Sequence, residues 1–150
     1  MNEYREIWTD ADFDDMGWHD ATMYSMDMPR EGTFSVSFDI DYIFKWHKDG
    51  NRFVGWDVAP CTLRFENVSG LKASLNWMND GGTNDAYTCI VAITRSNARP
   101  TPNGQLTVWD YHIELNSGEI DFSATGYNQT LRSPAVYSET QDLPRATWRP

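Results

Sequence analysis

Asp110, His112 and Glu114 recur at i, i+2 and i+4. On a strand, such positions share one face and stand about 6.5–7 Å apart. One imidazole and two carboxylates then converge, a donor set suited to a divalent cation, with His19 or His47 as a further ligand. A hydrated polar face is the competing reading, so no cofactor is predicted and the trio stands as an alternative metal set. Asp39 and Asp41 share the same i, i+2 spacing. Paired carboxylates divide acid and base roles only where their environments pull their pKa values apart, and alternation places this pair on a water-facing side.

His19-Asp20 follows Trp18, and an aspartate can orient an imidazole for base work. No Gly-x-Ser-x-Gly accompanies it, so a structural junction is expected. Asp10, Asp12 and Asp14 imitate the opening of a calcium loop. Asp15 stands where its sixth-position glycine belongs, and Ala21 where its final glutamate belongs. There is no phosphate-binding glycine loop and no Cys-x-x-Cys. Cys61 and Cys89 are expected to be reduced, with Cys89 on a buried strand.

The elements that must position these groups are mostly strands. Residues 8–20 predict a short helix, with Thr9 or Asp10 as N-cap, acidic residues in the first turn and Gly17 as the stop. Residues 29–32 read as a turn. In residues 33–47, Phe34, Val36, Phe38, Ile40, Tyr42, Phe44 and Trp46 share one parity. The other parity is polar except for Ile43, so one face belongs in a core. A turn at Asp49-Gly50 returns the chain antiparallel. Pro60 is expected to interrupt, with further strands at 62–68 and 71–77.

Residues 79–85 form a loop, and 86–94 a central strand. Residues 96–104 read as an exposed loop, and 105–115 as a strand whose inward face changes at Val108–Trp109 through a bulge. A four-residue turn, 116–119, would pair Leu115 with Ile120, Glu114 with Asp121 and His112 with Ser123. Pro134 demotes 129–137 to an edge, and 142–150 is an irregular tail. The expected fold is a single mainly-β domain: an antiparallel sandwich or partly closed barrel with one short N-terminal helix. Of the seven tryptophans, Trp46 and Trp109 have core parity, while Trp8, Trp18, Trp56, Trp77 and Trp148 are not placed.

Charge is uneven. Residues 1–41 hold eleven Asp and Glu against Arg5 and Arg30, a net of −9 out of −10 for all 150 residues. That balance disfavours nucleic-acid backbone and anionic membrane surfaces. It is compatible with a basic protein partner, which a one-signed region can steer, and equally with a solvated acidic face that aids solubility. The start of the chain lacks a basic then apolar leader, which predicts a cytoplasmic protein. Oligomeric state is not legible.

Gly17-Trp18-His19-Asp20-Ala21, residues 39–46 and residues 59–68 together resemble small bacterial β-rich proteins with a His-Asp junction ahead of a β-meander. In outline these are similar to immunity proteins of polymorphic toxin systems. The resemblance implies a role in binding and blocking a toxin, and it implies no catalytic residues. The leading expectation is therefore a non-enzymatic, acidic interaction module. Its contact residues would be Asp10, Asp12, Asp14, Asp15, Trp18, His19 and Asp20. A ligand-binding barrel, or a metal-dependent enzyme using His112 and its neighbours, is the alternative.

Overall fold

The alternation centred on Phe38 builds one long antiparallel hairpin in the computed structural model, which describes residues 4–28, 34–76 and 88–143. Strand β3 (Val36–Asp49) pairs along its length with β4 (Arg52–Phe65). Gly50 at φ 61 supplies the left-handed position of the turn between them. Val36, Phe38, Ile40 and Tyr42 are buried as their parity requires, whereas Phe34 precedes the strand and is exposed. Between Ile43 and Lys45 the register shifts by one residue, so Phe44 is a bulge. Beyond it the faces exchange: Trp46 joins Ile43 and Val58 in a second apolar cluster on the other side of the sheet.

The remaining strands are β1 (Ile7–Thr9), β2 (Thr22–Asp27), β5 (Ser69–Leu75), β6 (Thr88–Pro100), β7 (Thr107–Leu115), β8 (Gly118–Ala124), β9 (Tyr127–Leu131) and β10 (Val136–Ser138). They form one sheet in the order β1-β9-β4-β3-β2-β6-β7-β8-β5, with β10 beside β4. The sheet is not closed into a barrel. It folds over instead. Phe65 of β4 lies 4.9 Å from the ring of Tyr111 on β7 and 4.8 Å from that of Phe122 on β8, so the two halves face each other across one core. Two chain crossings hydrogen-bond at one corner, where the Thr125 amide donates to the Glu66 carbonyl at 2.9 Å and the Glu66 amide to that of Gly126 at 3.0 Å.

Several expectations are corrected. The helix over 8–20 shrinks to a 3-10 helix, Asp10–Asp15, because Ile7–Thr9 pairs with β9 and Trp18 turns into the core. The helix therefore ends before Gly17, at Met16, whose amide donates to the Phe13 carbonyl. Pro60 does not interrupt β4. It falls between the rungs to β9 and those to β10, where its carbonyl still accepts from the Arg132 amide. The expected loop at 96–104 is strand as far as Pro100. The bulge beside Trp109 lies on β6, between Ser96 and Arg99, with Asn97 at φ 56.

The turn after Leu115 has two residues rather than four. Leu115 pairs with Gly118, and every partner is displaced by two: His112 faces Asp121, and Asp110 faces Ser123. A displacement of two preserves which side chains share a face. The expected last strand is two: β9, interior between β1 and β4, and β10. Cys61 is buried, and burial pushes its thiol up to about 12; Cys89 is half-buried. The turn at 29–32, the loop at 79–85, Trp77, Trp148 and the tail from 144 lie outside the described residues.

Candidate functional site

The acidic N-terminal segment is fastened at several points. The Thr9 amide donates to Asp12 Oδ2 at 2.8 Å, and Arg5 Nη1 lies 2.8 Å from Asp12 Oδ1. The backbone amide first, and the guanidinium second, hold the Asp12 carboxyl below its ordinary range. Asp10 meets Arg95 at 2.6 Å. The Arg95 guanidinium is sandwiched between Phe13, 4.2 Å away, and Trp109, 4.1 Å away. Phe13 itself packs on Trp18, Tyr111 and Tyr127. The 3-10 helix is thus clamped to the opposite half of the fold through its own acidic and aromatic side chains. Ala11, Asp14 and Asp15 are left exposed, and neither Asp14 nor Asp15 makes an ion pair among the described residues.

Trp18, expected at a contact surface, is instead a core residue. It is 4% exposed, and its Nε1 donates to Gln129 Oε1 at 2.9 Å. Burying Trp18 fixes the junction that follows. The Asp20 amide donates to the Ile90 carbonyl at 2.8 Å and the Ile90 amide to that of Ala21 at 2.8 Å. Asp20 takes φ 65, a left-handed conformation tolerated by aspartate and held here by those bonds. His19 projects outward, its Nδ1 3.1 Å from the Val91 carbonyl and its ring stacked on Trp46. His19, Asp20, Trp46, Lys48 and Phe53 line an open hollow of about 450 Å³. Of the seven expected contact residues, Asp14, Asp15 and His19 are therefore exposed and Asp20 partly so. Asp10 and Asp12 are engaged internally.

The metal set is rearranged by the corrected register. Asp110 accepts from Asn97 at 2.9 Å and Ser123 at 2.7 Å and pairs with Arg99 at 3.0 Å, contacts that pull its carboxyl down to about 2. Glu114 is exposed and faces Glu119 across the ladder. His112 Nδ1 meets Asp121 Oδ1 at 2.6 Å, while its Nε2 stands 4.0 Å from Glu119 Oε2. The Asp121 hydrogen bond raises the His112 pKa. Ligand atoms from His112, Glu119 and Asp121 all lie within 4.8 Å of one another. Glu119 was missed because the expected register gave it to a turn. His47 does not join: its Nε2 is 2.7 Å from Asp57, which also accepts from Tyr4. His19 is held at the Val91 carbonyl.

The Asp39–Asp41 pair is divided by burial. Asp39 accepts from Ser25 at 3.0 Å and lies 3.3 Å from Arg132. Asp41, expected in water, is fully buried. Its Oδ2 accepts from Tyr24 at 2.5 Å and from the Leu143 amide at 2.7 Å. Ile43, the break in the polar parity, was the one sequence sign that this face is covered. Comparison of the chain with protein-family models, curated proteins and solved structures finds no match.

Proposed function

We propose that the chain is a non-catalytic interaction module that binds a basic protein partner, in the manner of an immunity-type inhibitor. The observation that carries this reading is the clamped 3-10 helix: Asp14 and Asp15 stand exposed on an element fixed by Asp10–Arg95 and by Phe13. Carboxylates on a rigid element lose little freedom when a cation meets them, so more of the attraction appears as affinity. Residues 1–41 carry a net of −9 by sequence; with Asp41 buried and Asp10 and Asp39 paired with Arg95 and Arg132, what remains of that charge adds long-range attraction for a cation. His19 and Asp20, beside Trp46 and Phe53, extend the contact with aromatic area of the kind that anchors interfaces.

The test is affinity capture from source cells with the wild-type chain and an Asp14→Lys/Asp15→Lys variant. The wild type retains a basic protein at low salt and releases it as salt rises. The variant binds about tenfold or more weakly, with a shallower salt dependence. Equal capture by both chains, or capture indifferent to salt, refutes the reading.

A second reading rests on the His112–Glu119–Asp121 grouping, whose donors suit a divalent cation such as zinc. Titrating zinc into the purified chain gives one equivalent of binding that His112→Ala abolishes. No binding at pH 8 removes this reading.

A further inference from the structure

After β10 the chain turns back across the outer face of β4, β3 and β2. Leu143 is buried against Ile43 and Val58, with Tyr24, Trp46 and Trp56 packed around them. Gln141 Nε2 donates to Asp20 Oδ2 at 3.1 Å. The Leu143 amide donates to Asp41, and the Tyr24 hydroxyl reaches both Asp41 Oδ2 and the Leu143 carbonyl. Among the described residues, Asp41 Oδ1 and Trp56 Nε1 are buried without a hydrogen-bond partner. A fully buried carboxyl group therefore sits beneath five residues of chain, with one oxygen satisfied by the described residues.

We propose that residues 139–143 are a strap latched by Asp41, and that ionisation of Asp41 loosens it. With the strap closed, Asp41 is out of water, and desolvation raises its pKa despite hydrogen bonds from Tyr24 and Leu143 that favour the charged form. Among the described residues, the other charged groups around it are Asp142 on the strap, which raises it further, and Arg132 after β9, which lowers it. Cys61 on β4, with its thiol pushed up to about 12, stays neutral. With the strap open, Asp41 meets water and returns to an ordinary carboxylate value of about 3.9.

The closed form holds the proton more tightly, so closure is tightest below the ordinary value. It weakens by about tenfold per pH unit as pH rises toward the raised one, then levels. Opening also takes Gln141 away from Asp20, freeing a carboxylate at the hollow. That last step alone rests on the partner-binding reading; the strap itself is measured without a partner.

The experiment is hydrogen exchange of the amides of residues 138–143 in the full chain from pH 4 to 8, corrected for intrinsic rates. Wild-type opening rises with pH and then plateaus. Asp41→Asn is flat, Asp142→Asn keeps the step, and Tyr24→Phe moves its midpoint upward. A flat wild type, or an Asp41→Asn chain that keeps the step, overturns the proposal. Should Asp41→Asn fail to fold, a carboxyl-carbon titration of the wild type decides: an Asp41 midpoint at the ordinary value overturns it. A strap that responds to pH in a chain that captures no basic protein would refute the partner reading alone. A pH-indifferent strap in a chain that does capture one would refute the strap alone.

Discussion

His112 and Asp12 carry opposite lessons about pH. The His112 pKa is raised by Asp121, so the stabilisation from its proton is complete below the unfolded value of about 6.5 and is lost as pH rises through the raised one. The Asp12 pKa is lowered, so its contribution is present above the unfolded carboxylate value and is lost as pH falls through the lowered one. Both side chains meet solvent, which screens these effects. Asp121→Asn is expected to bring the His112 midpoint down toward its ordinary value, read from the ring-proton shifts. The same proton competes with any cation at this site, so zinc binding is expected to be stronger at pH 8 than at pH 6 in a calorimetric titration.

At the scale of elements, parity was legible and register was not. The faces of β7 and β8, and of β3 as far as Ile40, follow directly from alternation, because period two is a local property of the sequence. Pairing depends on turn length, and Asn116-Ser117 closes a two-residue turn where Asn116 to Glu119 reads equally well as four. That one ambiguity moved His112 from Ser123 to Asp121 and so redrew the candidate cation site. Phe44 was illegible for a related reason: a bulge is an agreement between two strands, visible in one of them only as the odd Ile43. The Arg95 sandwich was also out of reach, since Asp10 and Phe13 meet β6 and β7 only through the fold-over of the sheet. Gly118 tests the observed register. At φ 151, a Cβ added there would stand 1.9 Å from the Ser74 carbonyl oxygen. Gly118→Ala is expected to destabilise the chain by about 3 kcal/mol in denaturant unfolding, whereas Gly50→Ala, with open space around it, costs about 1 kcal/mol.

For the whole molecule, the class of fold was readable and its closure was not. Alternation announces strands with one buried face. Whether the last strands meet depends on contacts between distant segments. Phe65 joins the halves by touching Tyr111 and Phe122, and Phe65→Ala is expected to cost about 3–5 kcal/mol, measured as a lower midpoint of thermal unfolding. Among the described residues, the backbone ladder between β2 and β6 pairs Thr22 with Cys89 and Met23 with Thr88, and Ile90 bonds the backbone of Asp20 and Ala21 just before it. The aromatic contacts of Phe65 with Tyr111 and Phe122 tie the halves across the interior, apart from that backbone seam. Under a stretching force that parts the two halves, the β3–β4 and β7–β8 hairpins, each paired within one half, would survive as separate, sequentially rupturing units.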